Sequence, residues 1–406
     1  MLPEGWKLSC LGDACSGELQ TGPFGSQLHA HEYIEHGISV LMPKDLIKYR
    51  ANIKTAAKIS VEKSKELKRH RLKFGDILFS RRGDVARLAL IDGMSEGSLC
   101  GTGCLRARPS TKAFPDFLFF FLQLPTIKSW LEHNAVGQTM PNMNTEILYE
   151  LPLILPPLPE QKKIAAILST WDRAIEGTEK LLANSQQQKK ALMQQLLTGK
   201  KRLPGFTEEW KPSPVSSFIK ESRIAGNSGD IARKITIKLY GKGVFPKEEK
   251  REGSESTKYY KRKSGQFIYS KLDFLNGAFG IIPSKLDGYE STLDLPAFDF
   301  LPAVNSQWFI YYVSREEFYS ANLGLANGGR KARRVNPVDL LRIIIPTPPL
   351  PEQKAIAAIL TTAEEEIATI KSNLSRLRDE KKALMQQLLT GKRRVKVDQE
   401  ISDTGL

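Results

Sequence analysis

The decapeptide ALMQQLLTGK occupies residues 191–200 and returns unchanged at 383–392, an offset of 192. The match extends upstream. PPLPEQK stands at both 156–162 and 348–354, and 26 of 44 positions are identical between 157–200 and 349–392 without a gap. A chain written this way is an internal duplication, so whatever fold it adopts has to be built twice. The earlier parts correspond more loosely. EGWK at 4–7 resembles EEWK at 208–211, GDILFSR at 75–81 resembles GQFIYSK at 265–271, and Gly137 and Asn144 align with Gly329 and Asn336. The two units run from Trp6 to Pro157 and from Trp210 to Pro349, and nearly all their difference in length lies before Gly75. They agree late and diverge early, as one scaffold carrying two different binding surfaces would.

The segments 160–198 and 352–390 read as long helices. Pro159 and Pro351 suit a first helical turn, where a missing N–H has no partner in any case, and the closing Thr-Gly suits a left-handed C′ residue. Between them runs a seven-residue apolar repeat. Leu168, Ile175, Leu182, Lys189 and Leu196 are matched by Leu360, Ile367, Leu374, Lys381 and Leu388, identical at all five positions. A flanking row, Ile164, Trp171, Thr178, Ser185 and Leu192 against Ile356, Ala363, Ile370, Leu377 and Leu384, completes a 3-4 spacing. That stripe is a coiled-coil seam rather than a globular amphipathic face. It fits an intramolecular antiparallel pair, although packing of each helix on its own domain, or on a second chain, would satisfy the same stripe. Each helix would extend about 58 Å at 1.5 Å per residue.

The rest of each unit mixes strand and helix patterns. GDILFS at 75–80 and ARLALID at 86–92 alternate as strands do, 115–134 reads as one buried helix, and LPLILPPLP (151–159) and RIIIPTPPLP (342–351) read as a final strand entering the long helix. The fold class expected is α+β: two mixed α/β domains separated by two long antiparallel helices, with pseudo-twofold internal duplication. The boundaries are a first domain at 1–157, a helix at 158–199, a linker at 200–209, a second domain at 210–348, a second helix at 349–391 and a basic tail at 392–406.

Composition then narrows the function. Sixty Lys and Arg against 45 Asp and Glu leave a net charge of +15, which points to a polyanionic partner. The start of the chain lacks a signal-peptide pattern and FLFFFL at 117–122 is too short to span a bilayer, so a cytoplasmic location is expected. The four cysteines, Cys10, Cys15, Cys100 and Cys104, read as reduced structural thiols. His29, His31 and His36 read as a surface cluster rather than a metal site. There is no phosphate-binding G-x-x-x-x-G-K-[ST], no G-x-G-x-x-G after a strand, no G-x-S-x-G and no H-E-x-x-H, so catalysis and a bound cofactor are not expected.

Nucleic-acid binding fits better. Basic clusters recur in both units, at 63–73 (KSKELKRHRLK), 80–84, 258–263 and 328–334, and a further basic set, Lys189, Lys190, Lys200, Lys201 and Arg202, lies near the end of the first helix. Cations on phosphates give affinity, whereas Arg, Asn and Gln reaching base edges give discrimination. The aligned loops GQTMPNMN (137–144) and GGRKARRVN (328–336) are rich in such side chains and differ between copies. The candidate DNA-contacting residues are Arg81, Arg82, Gln138, Asn142 and Asn144 in the first unit, and Lys271, Arg330, Lys331, Arg333 and Arg334 in the second. The competing reading is a coiled-coil interaction adaptor whose basic patches are incidental.

Several stretches resemble the specificity subunits of type I restriction–modification systems. They are GPFGSQL at 22–28 with GISVL at 37–41, GDILFSRRG at 75–83, GQTMPNMNTEILYELPLILPPLPEQKKIAAIL at 137–168 and KKALMQQLLTGKKRLPGF at 189–206; the second half repeats PPLPEQKAIAAIL and KKALMQQLLTGK. The resemblance spans the chain. It implies two target-recognition domains, each reading one half of a bipartite site in double-stranded DNA, with a helical spacer between them. It also implies a non-catalytic subunit that binds two modification subunits, which use S-adenosylmethionine to methylate adenine, with ATP- and magnesium-dependent restriction subunits in the full complex. The second domain departs from the pattern: GGRKARRVN lacks the Q-x-P-N-x-N form, and GPFGSQL has no counterpart there.

Overall fold

The computed structural model describes residues 2–137, 141–248, 253–321 and 334–397. The chain divides into two compact units. One comprises 1–178 with 373–406, and the other 179–372. Each unit thus takes a globular head, the beginning of one long helix and the end of the other.

In the first unit the central sheet places Leu19–Thr21, Cys104–Ala107, Ile77–Ser80 and Leu88–Leu90 side by side, extended by short strands at Arg50–Ala51 and Leu46–Ile47. In the second unit Ile219–Ser222, Ala297–Phe300, Phe267–Tyr269 and Phe279–Ile281 repeat that four-strand order. The turn entering the central strand is also repeated. Gly75 and Gly265 both take φ 83°, a conformation that a Cβ disfavours. The Asp76 carboxylate accepts from Lys73 N at 2.8 Å, as the Gln266 amide oxygen accepts from Lys263 N at 2.8 Å. GDILFSR and GQFIYSK are alike because they build the same turn and strand.

Around this shared sheet the units diverge. The first adds a four-stranded sheet from Tyr33–Ile34, Ile38–Leu41, Ala57–Ile59 and Leu99–Cys100. The second instead adds a three-stranded sheet and the hairpin Ile235–Lys238/Gly243–Pro246. A two-stranded ribbon closes each head, Lys7–Cys10 with Pro152–Leu155 and Lys211–Pro214 with Ile344–Thr347. The strands expected at the end of each head are therefore present and pair with its first strand.

The buried helix expected over 115–134 is two helices, Pro115–Phe121 and Pro125–Asn134. Pro125 has no N–H to continue a helix, and it forces the preceding Leu124 out of the α region, to ψ 139°. The long helices span Leu158–Leu196 and Leu350–Leu388, 39 residues each, two residues earlier at both ends than the sequence suggests. Every seam position in both is buried or half-buried, whereas most intervening positions are exposed.

The apolar core of each head includes both helices. Ile164, Ala165 and Leu168 join Leu388 and Leu389 in the first core, together with Phe79, Phe117 and Met143. Ile356, Ala357 and Leu360 join Leu196 and Leu197 in the second, with Phe267, Trp308 and Val335. The ALMQQLLTGK leucines thus fill the cores of the heads. Thr-Gly then leads the chain out of the helix with Gly199 at φ 71° and Gly391 at φ 74°.

Candidate nucleic-acid interface

In the first head three loops separated in sequence are laced together beyond the end of the central strand. Arg81 N donates to Gly103 O at 2.8 Å, and Arg81 O accepts from Met143 N at 2.8 Å. Gly83 N donates to Pro141 O, Ser80 Oγ donates to Arg82 O, and Arg82 bridges to Asn142. Val136 and Asn142 exchange two backbone hydrogen bonds, 2.9 and 2.8 Å. Met143 is fully buried and anchors this arrangement.

The structure therefore brings Arg81, Arg82 and Asn142 together from separate parts of the domain's sequence. Arg82 is exposed and Arg81 half-buried. Arg81 Nε and Asn142 Oδ1 are buried and have no hydrogen-bond partner among the described residues. Arg82 is the exposed donor of the set, and an arginine so placed suits the acceptors on a base edge. Asn144 is differently employed. Its Oδ1 accepts from Ile147 N at 2.8 Å and caps the helix Thr145–Tyr149, so the amide nitrogen is the donor group that the cap does not use. Gln138 lies outside the described residues.

The second head repeats the crossing. Lys271 N donates to Asp294 O, and Lys271 O accepts from Val335 N, both at 2.9 Å. Tyr269 Oη adds a hydrogen bond to Val335 O at 3.0 Å. Arg334 Nη1 lies 3.6 Å from Asp294 Oδ1, both side chains being exposed. Arg330, Lys331 and Arg333 lie outside the described residues. Lys271 and Arg334 approach one another through Asp294, which contacts both.

Two of the basic residues near the end of the first helix serve the fold instead. Lys189 pairs with Glu364 at 3.1 Å and sits 5.3 Å from the centre of the Tyr311 ring. Arg202 makes two hydrogen bonds, 2.7 and 2.8 Å, to the fully buried Glu352, which also accepts from Trp210 Nε1 at 2.9 Å. The same set appears in the first unit, with the helix residues Glu160, Asp172 and Lys381 and the following Arg394 each at an offset of 192. Glu160 accepts from Arg394 and from Trp6 Nε1, and Lys381 pairs with Asp172 at 2.5 Å and sits 5.1 Å from the Phe120 ring. The next residue works in parallel. Gln161 accepts from Phe114 N at 2.7 Å and donates to Pro156 O at 2.9 Å; Gln353 accepts from Asn305 N at 2.8 Å and donates to Pro348 O at 3.0 Å. The repeated P-E-Q reads in sequence as a helix start, and its clamping role shows only in the structure. The signal for it is that Glu and Gln recur inside PPLPEQK, a block identical in both copies, where a helix start alone would not demand those two side chains.

Nothing in the described residues groups three or more metal-type ligands, and none of the helices among them is long and apolar enough to cross a membrane. His29 and His31 stack at 5.5 Å on the surface. Burial above all pushes the Cys15 and Cys100 thiols up to about 12 and that of Cys104 well above its usual value, so these three are unreactive packing groups.

A duplicated α+β head with a cationic, amide-bearing loop cluster is the kind of surface that a DNA-recognition domain needs, and comparison with known proteins points the same way. Residues 3–184 match the type I restriction modification DNA specificity domain. The chain is 28% identical over 406 residues to the type I restriction enzyme MjaX specificity subunit of Methanocaldococcus jannaschii, covering 90% of this chain and 92% of the relative. It is 28% identical over 309 residues to the MjaVIII specificity subunit of the same organism, covering 69% and 71%. Among solved structures it resembles the HsdS subunit from Thermoanaerobacter tengcongensis, with a TM-score of 0.51, 20% identity and coverage of 97% and 98%. It also resembles the type I S subunit from M. genitalium, with a TM-score of 0.58, 14% identity and coverage of 96% of each chain. Residues 3–184 thus carry the DNA specificity domain of type I restriction–modification systems, and the chain as a whole is similar to their specificity subunits.

Proposed function

We propose that each head reads one half of a bipartite, asymmetric site in double-stranded DNA and that the two long helices form an antiparallel spacer fixing the gap between the halves. The observation that supports this best is the repeated crossing of Arg81 with Met143 and of Lys271 with Val335. One frame presents chemically different loops, as two readers of unlike half-sites require. A homodimer could offer only one reader twice. Arg81, Arg82, Gln138, Asn142 and Asn144 would face one half-site, and Lys271, Arg330, Lys331, Arg333 and Arg334 the other.

The subunit is non-catalytic in this reading and works in the cytoplasm. Two modification subunits would dock on the matched helices, bringing S-adenosylmethionine, and restriction subunits would bring ATP and magnesium. The test is to sequence the methylated motif in cells carrying this chain with its modification subunit. Asn142→Ala should relax bases in one half-site only, by about 1–3 kcal/mol of discrimination. A change in both half-sites together would overturn the two-reader model.

A further inference from the structure

At the opposite end of the same central strands lies a cavity of about 630 Å³ that the reading loops do not use. The strands run antiparallel, with Cys104 beside Ser80 and Ala107 beside Ile77, so Arg106 and Arg108 emerge away from Arg81. Lys68, Arg69, Arg71, Lys73, Arg106 and Arg108 line the cavity, against the acidic Glu18 and Glu96. The acids are already engaged. Glu18 Oε2 accepts from Arg106 Nη2 at 2.9 Å, and Glu96 Oε1 accepts from Phe74 N at 3.2 Å.

The floor of this cavity is built, not merely decorated. Arg106 is 4% exposed. Its Nη1 donates to Arg69 O at 3.1 Å, while its Nε has no hydrogen-bond partner among the described residues. Burial, followed by the neighbouring Arg108, pulls its pKa below the ordinary arginine value. Arg108 is held beside it by two hydrogen bonds to the buried Asp76, at 2.7 and 2.8 Å. A buried cation with an unused donor is costly unless something accepts from it.

The second head shows what a purely structural buried arginine looks like. Arg262, 1% exposed, donates from Nε to Ser291 Oγ at 2.7 Å, from Nη1 to Ser222 O at 2.8 Å and from Nη2 to Leu295 O at 3.3 Å. Every nitrogen is used. At the register position of Arg106 the second head has Ala297, which pairs with Ser222 and Ile268 as Arg106 pairs with Gln20 and Leu78.

We propose that this cavity in the first head is a phosphate-binding site in which Arg106 at the floor, with Arg71 and the rim cations, receives the oxygens of a phosphate-bearing ligand. Planar guanidinium groups on a concave cationic surface match phosphate geometry, and the volume is that of a small-molecule site. The phosphate has two possible sources, the backbone of a bound duplex or a free phosphorylated molecule. The assignment does not rest on the half-site reading, because the site faces away from Arg81.

The probe is inorganic pyrophosphate, titrated into the full chain by calorimetry at about 0.15 M ionic strength, where surface attraction is screened beyond about 8 Å. Saturable binding of one pyrophosphate is expected. Arg71→Gln should weaken it at least tenfold, Arg106→Gln should abolish it, and Lys54→Gln, exposed and outside the cavity, should leave it unchanged. Arg71 holds Arg108 through its backbone oxygen alone, so Arg71→Gln still decides the matter if Arg106→Gln fails to fold. Displacement of pyrophosphate by target duplex in the presence of the modification subunit would assign the site to the DNA backbone. Simultaneous binding of both would assign it to a free phosphorylated ligand. No saturable binding, or binding indifferent to Arg71→Gln, would overturn the proposal.

Discussion

The two places where a head meets the long helices are nearly superimposable in chemistry, whereas the sheets those heads carry are not. Trp6, Glu160 and Arg394 repeat as Trp210, Glu352 and Arg202. Lys381 with Asp172 repeats as Lys189 with Glu364. Beyond the shared four strands the extra sheets differ in strand number and order. The chain has held constant the joint that positions a reader and left the reader free to change. A joint built from a buried carboxylate, a tryptophan N–H and a guanidinium tolerates little variation, because removing any partner strands a buried polar group. A loop exposed to a ligand is under no such restriction.

The most severe way to test the likeness of the two joints is to empty their cores at matched positions. Leu168 and Leu360 are both fully buried and lie 192 residues apart. Leucine-to-alanine substitution at such a site costs about 3 kcal/mol through lost burial and the cavity left behind. Leu168→Ala and Leu360→Ala should therefore lower the denaturant midpoint by comparable amounts, each through the head it belongs to. A large loss at one position with none at the other would show that the repeat is not energetically a repeat.

A smaller effect should separate the two helix ends. Gly199 and Gly391 share the left-handed conformation, which costs a non-glycine residue about 1–2 kcal/mol. Their surroundings differ. A Cβ at Gly199 would meet the Trp210 ring at 3.5 Å, an ordinary contact, whereas at Gly391 it would meet Pro3 Cγ at 2.6 Å. Gly391→Ala should lower the melting temperature more than Gly199→Ala does. Equal losses would mean that backbone strain alone matters at both ends and that the Pro3 contact yields.

How much of this was legible in the sequence follows from the kind of force involved. The helices and their seam could be read because burial along a helix imposes a period, and a period survives in the letters. The central strands and their turns were legible through the resemblance of GDILFSR to GQFIYSK. The break at Pro125 is hard to read because the apolar residues on both sides of it continue the pattern of one buried helix. The Glu160 and Glu352 clamps were invisible because each needs partners more than 140 residues away, and no local pattern records such a distance. The same holds for the meeting of Arg81 with Asn142. Composition singled out both loops, but only the buried Met143 explains why they meet. Lys189 and Arg202 looked like a basic surface because charge alone does not reveal whether an acid waits opposite.

The smallest expected difference is also the one that separates folding from reading. Asn144 and Asn336 stand at equivalent helix starts, yet only Asn144 uses its side chain as a cap; the Asn336 side chain makes no cap hydrogen bond. Asn144→Ala should cost about 1 kcal/mol, the ordinary value of a lost N-cap, and Asn336→Ala almost nothing. Aspartate caps as well as asparagine does but has no N–H to donate. Asn144→Asp should therefore keep the stability of the parent chain while removing the amide N–H donors that the cap does not use. If Asn144 donates to a base, the methylated motif relaxes at one position of one half-site with no change in melting. If the motif is untouched by Asn144→Asp, Asn144 belongs to the helix alone, and reading by this loop falls to Asn142 and its neighbours.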